Sequence, residues 1–312
     1  MKVLFVRFSS LGDIILTTGV IRKFKELFPD AEADVLTYAP YADVFKGLPF
    51  VNRVLEHNKK DGIISYFSLI QRETEEYDHI FDLHGKVLSM FLRFHAQADY
   101  HKYVKDSAAR RRFVKSRKRD PRLELHVVQK YFEPIAHTFN VPMPELEELR
   151  PVLFSDVRSV EKHVLVHPFA SRYTKTYPYA GELAELLIEN GYTPVFAGDG
   201  KAPDVKGIID RTGKSKIRDF FDTIASCGAV ISSDSGPLHA AVALKKPTVG
   251  IFGSTTKDFG FYPSFSGVKV VEDNSVECRP CDVHGLEACP KGHFDCMKKL
   301  TPDKVVEALK SL

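Results

Sequence analysis

The sequence predicts an α/β protein made of two Rossmann-like domains, each a parallel sheet with helices on both faces. Apolar strand-like runs alternate with helical patterns along the chain, and an acid- and Pro-rich stretch at residues 142–159 divides the series in two. Repeated β-α units favour parallel sheets joined by right-handed crossovers. We therefore expect one domain in residues 1–158 and another in residues 159–312, facing each other across a cleft.

The first half begins with a strand and an amphipathic helix. Leu16, Val20, Phe24 and Leu27 fall on one helical stripe, and Pro29–Asp30 follows where the helix stops. A helix expected at Leu125–Phe139 closes this half. The strands predicted from apolar runs are Lys2–Phe8, Ala33–Tyr38, His79–Leu83 and Ala98–Val104.

The second half repeats this organisation. The predicted strands are His163–His167, Thr193–Ala197, Ala229–Ser232, Pro247–Phe252 and Val268–Val271. The helices predicted between them are Tyr179–Asn190, Ile217–Ser226 and Gly236–Leu244. No G-x-G-x-x-G sequence follows the first strand, so the dinucleotide fingerprint is absent there.

Two predicted strands end in a turn of small polar residues that a helix follows at once. In one, Ser232–Gly236 precedes a helix with His239 on its first turn; in the other, Ser9–Asp13 precedes the first helix. Free N–H groups and the positive end of the helix dipole make such a turn an anion site. Each motif alone is equally explained as an ordinary helix cap, with Asp13 or Asp234 in a structural role.

Composition describes a globular protein with a mildly positive charge. The 312 residues carry a formal charge of +3, with 44% hydrophobic and 27% charged residues. We expect no signal peptide, no membrane span and no nucleic-acid partner. Nine cations lie between His101 and Arg119 against one acid, Asp106. Such a run is either a solvated face or a contact with lipid headgroups or a phosphorylated acceptor.

Several stretches, in this order along the chain, resemble the bacterial lipopolysaccharide heptosyltransferases of glycosyltransferase family 9, which have a GT-B fold. They are V-R-F-S-S-L-G-D (Val6–Asp13), D-L-H-G-K (Asp82–Lys86), K-T-Y-P (Lys175–Pro178), D-S-G-P-L-H (Asp234–His239), K-K-P-T-V-G-I-F-G (Lys245–Gly253) and the Cys-rich tail (Cys278–Pro302). Tyr177 stands where the family commonly has Trp. The tail is most like the type II enzymes, whereas the chain length leaves type I open.

The resemblance implies inverting transfer of L-glycero-D-manno-heptose from ADP-heptose to the inner core of lipopolysaccharide. The acceptor would be heptosyl-Kdo2-lipid A or Kdo2-lipid A, reached from the cytoplasm by transient contact with the inner face of the inner membrane. A nucleoside diphosphate leaves readily, so the chemistry needs one base for the acceptor hydroxyl and positive charge for the phosphates. Asp13 matches the family's base, and Lys175 matches its phosphate-binding lysine.

Further site residues are expected around Asp13 and Lys175. Asp234 is expected to orient a sugar hydroxyl or the turn, and Asp199, with Asp204 in reserve, to accept the ribose hydroxyls. The other donor-binding candidates are Ser171, Thr174, Ser235, Gly236 and His239; Ser171 and Thr174 are equally explained as ordinary polar loop residues. The acceptor-binding candidates are Ser10, Gly12, Lys86 and Arg112, with Arg93 and the rest of the basic run as further cations.

Four of the five cysteines lie near the end of the chain, at Cys278, Cys281, Cys289 and Cys296. The close pair Cys278/Cys281 is typical of zinc ligands, and His284 and His293 are further potential ligands. Structural zinc sites usually have two close pairs, and a reducing cytoplasm disfavours disulfides. Since the resembled family requires no metal, we expect reduced, structural thiols and no cofactor, with zinc as the alternative. Cys227 is expected in the core.

Two other classes of function stay open. A sugar-nucleotide epimerase or hydrolase on a similar scaffold would turn over the donor with no acceptor. A zinc-dependent nucleic-acid-binding protein would join the basic run to the cysteines and bind DNA or RNA in a salt-sensitive way. The second alternative leaves the turns at Asp13 and Asp234 unexplained.

Overall fold

The computed structural model describes residues 1–95, 97–213 and 215–312 and confirms an α/β chain with two parallel sheets. The chain divides into two compact units: the first holds Met1–Lys105 and Val127–Phe154, and the second holds Asp106–His126 and Ser155–Leu312. Sequence analysis assigned Asp106–His126 to the first domain. A single boundary after residue 158 does not describe this division, because the chain enters the second unit early and then returns to the first.

The first unit contains a five-stranded sheet in the order β3-β2-β1-β4-β5. The strands are β1 (Lys2–Val6), β2 (Glu32–Tyr38), β3 (Val54–His57), β4 (His79–Asp82) and β5 (Asp99–Lys102). Sequence analysis missed β3, a four-residue edge strand whose exposed Glu56 interrupts the apolar run. The helices are α1 (Leu11–Leu27), α2 (Gly62–Glu73), α3 (Val87–Met90) and α4 (Leu92–His95); after α5 (Ser107–Ser116) in the second unit, α6 (Val127–Phe139) returns to the first.

The predicted stripe of α1 faces the core of the first unit. Leu16, Val20 and Phe24 are fully buried, whereas Leu27 at the last turn is 38% exposed. Gly19 is needed within this helix, because a Cβ there would lie 2.2 Å from the carbonyl oxygen of Leu149. This close approach of the Leu149 backbone to α1 sets the position of the helix, and therefore the position of its first turn.

The second unit contains a six-stranded sheet in the order β11-β10-β9-β6-β7-β8. The strands are β6 (Val160–His167), β7 (Thr193–Gly198), β8 (Ile209–Thr212), β9 (Cys227–Ser233), β10 (Thr248–Phe252) and β11 (Val268–Glu272). Sequence analysis also missed β8, another four-residue edge strand, with Asp210 and Arg211 at its centre. The helices after α6 are α7 (Ala180–Glu189), α8 (Ile217–Ala225), α9 (Gly236–Ala243), α10 (Asp295–Lys298) and α11 (Pro302–Lys310).

Specific contacts explain why α5 packs with the second unit. Phe113 of α5 is buried against Phe259, with ring centroids 6.3 Å apart. Arg117 donates hydrogen bonds to the carbonyl oxygens of Cys278, at 2.9 Å, and Pro280. Part of the basic run therefore holds α5 in place. Within the described ranges, no helix is both long and apolar enough to cross a bilayer.

Candidate functional site

The sheet of the first unit has its topological switch point between β1 and β4. The chain goes from β1 to β2 on one side and later reaches β4 on the other, with Val6 paired to Asp82. In open parallel sheets, ligands bind outside the carboxyl ends of the strands at this point. The turns at Ser9–Asp13 and Asp82–Lys86 both leave the sheet here.

Asp13 lies in the first turn of α1 with partners on both carboxylate oxygens. Arg7 Nη2 lies 2.8 Å from Oδ2, and the Ser10 hydroxyl and backbone N–H donate to the same oxygen at 2.8 and 3.2 Å. The Tyr131 hydroxyl donates to Oδ1 at 3.0 Å. The bond from the Ser10 N–H is an ordinary capping-box contact, as the structural interpretation predicts. The buried cation and the tyrosine exceed what a cap requires.

These partners hold Asp13 as a carboxylate. Burial raises the pKa of Asp13, but the charge of Arg7 and the hydrogen bonds from Ser10 and Tyr131 outweigh it, so the pKa lies below its ordinary value of 3.8. Arg7, which is only 6% exposed, also donates to the carbonyl oxygens of Ser9, at 2.8 Å, and Leu83. The carboxylate is thus fixed in position and ionised at neutral pH, as a proton acceptor must be.

Further cations surround this carboxylate. The pKa of Lys105 is lowered to about 8, first by burial and then by Arg7 and Lys86. Burial together with the same three cations lowers the pKa of His84 to about 3, so His84 is neutral at pH 7. Mutually repelling cations favour a phosphate or carboxylate ligand. The sequence indicated Lys86, and Lys105 as part of the basic run, but not Arg7 and His84, although these two lie inside the quoted motifs V-R-F-S-S-L-G-D and D-L-H-G-K.

A cavity of about 570 Å³ opens at this edge of the sheet. Its lining residues are Ser9, Tyr38, Lys59, His84, Gly85, Lys86, Val87, Leu88 and Met90. Asp82 shapes the loop that forms one wall, because it accepts hydrogen bonds from the backbone N–H groups of His84 and Gly85, both at 2.8 Å. The motif D-L-H-G-K is therefore a loop scaffold as well as a source of charge.

The structure brings together three of the four acceptor-binding candidates. Ser10 is exposed beside Asp13, Lys86 is exposed at the start of α3, and Gly12 is buried in the first turn of α1. Arg112 lies on α5 in the second unit, 3.3 Å from Asp120, with 60% of its side chain exposed. From Asp106 onward the basic run therefore lies in the second unit, whereas Lys105 of the same run interacts with Lys86 and Asp13 in the first unit.

We expect the ion pair with Arg7 to set the acid limb of the pH–activity profile. In the Arg7→Gln variant burial remains while the opposite charge is lost, so the pKa of Asp13 rises and the acid limb moves toward neutral pH. The native pKa is below that of the unfolded chain, so Asp13 stabilises the fold above the unfolded pKa, and this contribution is lost as pH falls through the native pKa. Measuring kcat against pH tests this. An unchanged acid limb would contradict it, and Arg53→Gln, at a surface ion pair, is the control.

The second sheet has its switch point between β6 and β9. Lys175 follows β6, Asp234 follows β9, and Lys175 Nζ lies 2.9 Å from Asp234 Oδ2. The Thr255 hydroxyl donates to the same carboxylate oxygen at 2.7 Å. The predicted phosphate-binding lysine and the carboxylate expected to orient the turn are thus direct partners. Asp234 positions the Lys175 ammonium, which keeps 15% of its side chain accessible.

The first turn of α9 lies beside this ion pair. Ser235 precedes the helix, and its side chain makes no capping hydrogen bond; the hydroxyl donates instead to the carbonyl oxygen of Ser233 at 3.1 Å. Ser235 therefore does not cap α9 with its side chain. Pro237 has no N–H and the Leu238 N–H donates to the Ser235 carbonyl oxygen at 3.2 Å, so Gly236 is the residue whose N–H can serve an anion at the start of this helix. Gly236 begins the helix, whereas His239 is only 6% exposed.

His167, at the end of β6, is a residue that sequence analysis missed. Its Nδ1 lies 3.4 Å from the Ser235 hydroxyl, and burial lowers the pKa of His167 to about 4, so the ring is neutral at pH 7. Gly198 makes room for it, because a Cβ there would lie 2.6 Å from His167 Nε2. Gly198, the residue before Asp199, is therefore required for the packing of the His167 ring. The G-D-G sequence at residues 198–200 contained this signal.

The other donor-binding candidates differ in exposure. Ser171, Asp199 and Asp204 are exposed in the loops that follow β6 and β7. Thr174 is buried, and its hydroxyl accepts a hydrogen bond from the backbone N–H of Leu286 at 2.8 Å. Thr174 thus joins the loop of Lys175 to the Cys-rich tail.

The tail shapes the surroundings of Lys175. Gly285 has φ +85°, and a Cβ there would lie 3.0 Å from Lys175 Cδ. Burial and the neighbouring thiols raise the pKa of Cys281 to about 11 and that of Cys296 to about 12. Cys278 Sγ lies 3.8 Å from His293 Nε2. In the part of the chain that the structure describes, no three His, Cys, Asp or Glu side chains form a group that could hold a metal ion. Cys227 is buried, as expected.

Comparison with known proteins gives a consistent result. Residues 67–285 match the family model for glycosyltransferase family 9 (heptosyltransferase). Two relatives, lipooligosaccharide heptosyltransferase 2 of Haemophilus influenzae and lipopolysaccharide heptosyltransferase 1 of Campylobacter coli, are each 23% identical, with 100% of this chain and 99% of theirs aligned.

Solved structures show the same fold. Escherichia coli ADP-heptose LPS heptosyltransferase II superposes with a TM-score of 0.72 at 20% identity, covering 100% of this chain and 98% of that one. E. coli heptosyltransferase WaaC with ADP-2-deoxy-2-fluoro heptose gives 0.71 at 17% identity, covering 100% and 99%. The iron-containing dodecameric glycosyltransferase TibC of enterotoxigenic E. coli gives 0.64 at 14% identity, covering 99% and 75%.

Proposed function

Because the chain belongs to glycosyltransferase family 9, the heptosyltransferases, we propose that it transfers heptose from ADP-heptose to the inner core of lipopolysaccharide with inversion at the anomeric carbon. The observation that carries this proposal is the ionised Asp13 carboxylate, with Arg7 and Lys105 near it, at the same edge of the sheet as a cavity lined by Lys59 and Lys86. That combination provides a base for an acceptor hydroxyl and a site for the acidic groups of an inner-core acceptor.

The second unit supplies the donor site. Lys175 and the Gly236 N–H at the start of α9 bind the pyrophosphate, and Asp234 and Thr255 hold the lysine in place. As the bond from the anomeric carbon to the diphosphate oxygen breaks, its electron pair moves onto that oxygen, and these groups stabilise the added charge. No general acid is needed, since the nucleoside diphosphate leaves without protonation. Ser171, Asp199, Ser235 and His239 stay donor-binding predictions.

The first unit supplies the base. The acceptor hydroxyl oxygen attacks the anomeric carbon from the face opposite the diphosphate, and its proton passes to Asp13. The low pKa of Asp13 makes it a weak base in the ground state, so proton transfer comes late, when the attacking oxygen has become acidic. Arg7 and Tyr131 orient the carboxylate. A GT-B arrangement, with donor and acceptor meeting in a cleft between the domains, belongs to this proposal.

We propose that the reaction needs no metal and takes place in the cytoplasm at the inner face of the inner membrane. One feature supports the first point: Lys175 and the start of α9 carry positive charge to the phosphates. The iron in TibC makes a direct test necessary, so metal content and sensitivity to chelators belong in the assay.

Transfer from ADP-heptose to Kdo2-lipid A and to its heptosylated form, each with and without EDTA, tests this proposal. We expect product on the heptosylated acceptor, unaffected by EDTA, because the tail is most like type II enzymes. Product on Kdo2-lipid A alone would make the enzyme type I; relatives of both types match at 23% identity. Consumption of the donor without any acceptor would indicate a hydrolase or epimerase. No product with an intact donor would contradict the proposed sugar or acceptor.

A further inference from the structure

Four large apolar side chains are exposed on α2, α3 and α4 of the first unit, and one of them, Val87, lines the cavity. Ile63 is 48% exposed, Ile64 79%, Val87 73% and Phe94 74%; we call these four residues the apolar patch. The isoleucines lie in the first turn of α2, the valine begins α3 and the phenylalanine lies in α4. Since all the strands are parallel, α2 and α3 both begin at the carboxyl edge of the sheet, where the cavity opens.

The exposure of the apolar patch does not come from loose packing of these helices. Tyr66 and Ile70 of α2 and Leu92 of α4 are fully buried in one core cluster. Phe67 and Phe91 link α2 to the start of α4, with ring centroids 5.1 Å apart. The helices thus form one packed layer on the sheet, and the patch is the apolar surface that this layer leaves uncovered.

Cations accompany the apolar patch. Lys59 and Lys60 precede α2, Lys86 precedes α3, and Arg93 lies next to Phe94; all four are exposed. Residues 83–95 contain no acid, and Asp61 is the acid in the turn before α2. Exposed apolar side chains beside cations match an anionic lipid surface, where the apolar groups enter between the headgroups and the cations stay at the phosphates. A second copy of the chain would bring further cations to this face.

We propose that the apolar patch, with Lys59, Lys60, Lys86 and Arg93, docks the first unit on the anionic surface of a phospholipid bilayer. The inference rests on the proposed function: docking on a bilayer serves an enzyme whose acceptor is anchored there by acyl chains. The cavity lined by Lys59, Lys86 and Met90 opens beside this surface. The basic run, for which the sequence left open a solvated face and a contact with lipid headgroups or a phosphorylated acceptor, belongs to the second unit from Asp106 onward.

Sedimentation of the full chain with vesicles tests the docking surface. We expect binding to vesicles of phosphatidylglycerol and phosphatidylethanolamine, and little to phosphatidylcholine alone. Ile64→Gln/Phe94→Gln should weaken binding by about tenfold or more, since two exposed apolar side chains lose their burial in lipid. Lys60→Gln should weaken it about fivefold. The matched control is Leu27→Gln/Val160→Gln, at apolar side chains 38% and 48% exposed elsewhere.

Each further outcome decides the proposal. Wild-type binding by Ile64→Gln/Phe94→Gln, or an equal loss in the control, would overturn it. Loss of self-association instead of vesicle binding would assign the face to a second copy. Transfer to a deacylated, water-soluble acceptor should not change in the patch variant; a decrease would make the patch part of the acceptor site. Vesicle binding without any heptose transfer would contradict the proposed function and leave the docking surface in place.

Discussion

Replacing Asp13 with Asn is expected to lower kcat for heptose transfer by about 100-fold to 10,000-fold. Asn has nearly the same shape but cannot take the proton of the acceptor hydroxyl. Donor affinity should change little, since Lys175 and α9 of the second unit bind the diphosphate in our proposal. Single-turnover transfer and titration with the nucleotide separate the two effects, and normal turnover would remove Asp13 from the mechanism.

Stability must be measured on the same variant, because Asp13 also caps α1 and pairs with Arg7. Loss of the charge-assisted bonds should lower the free energy of unfolding by about 1.5–3 kcal/mol. Asp219→Asn is the matched control, since Asp219 occupies the same third position in the first turn of α8 and is exposed. If Asp13 were only a cap, both variants would retain transfer once folded. Loss of transfer in Asp13→Asn alone supports the base.

Replacing Lys175 with Ala is expected to lower kcat/KM for the donor by about 100-fold to 1,000-fold. The ammonium is the charge that our proposal assigns to the leaving diphosphate, and it develops its largest effect as the glycosidic bond breaks. Steady-state kinetics with ADP-heptose measure the loss. Lys269→Ala, an exposed lysine on β11, controls for the change in net charge. A loss of less than threefold in Lys175→Ala would contradict the assignment.

The ion pair between Lys175 and Asp234 adds a sharper test. Without the lysine, the Asp234 carboxylate is left beside the phosphate site and repels the anion. Adding Asp234→Asn to Lys175→Ala should therefore recover part of the lost affinity for ADP, a coupling that a double-mutant cycle measures. Independent effects of the two substitutions would show that Asp234 and Lys175 do not act on the same group.

Two edge strands, β3 and β8, were not predicted from the sequence. Strands buried on both faces, such as β1, β4, β9 and β10, contain apolar runs, and the sequence predicted all of them. The missed strands β3 and β8 are four residues long and lie at or next to solvent, where charged residues are tolerated. Each of these strands pairs with a neighbouring strand whose position is set by the rest of the sheet, so no local sequence pattern indicates the pairing.

The site shows a similar limit. Asp13 and Asp234 were identified in polar turns at strand ends, and Lys86 and Lys175 in motifs of the resembled family; their roles stay predictions. Arg7 was not identified, because its importance depends on burial and on a distance of 2.8 Å to Asp13. The burial of Arg7 and its distance to Asp13 cannot be read from the sequence, because a strand ends and a helix begins within the spacing of six residues between the two.

The sequence by itself determined the alternation of strands and helices, the two parallel sheets and the polar turns at the switch points. These features are local, since they depend on apolar periodicity, helix termination and small residues within one segment. The tertiary structure alone decided that α5 packs with the second unit, that His84 and His167 are neutral, and that Asp13 stays ionised. Burial and charge pairing join residues far apart in the chain, so they exist only once the chain is folded.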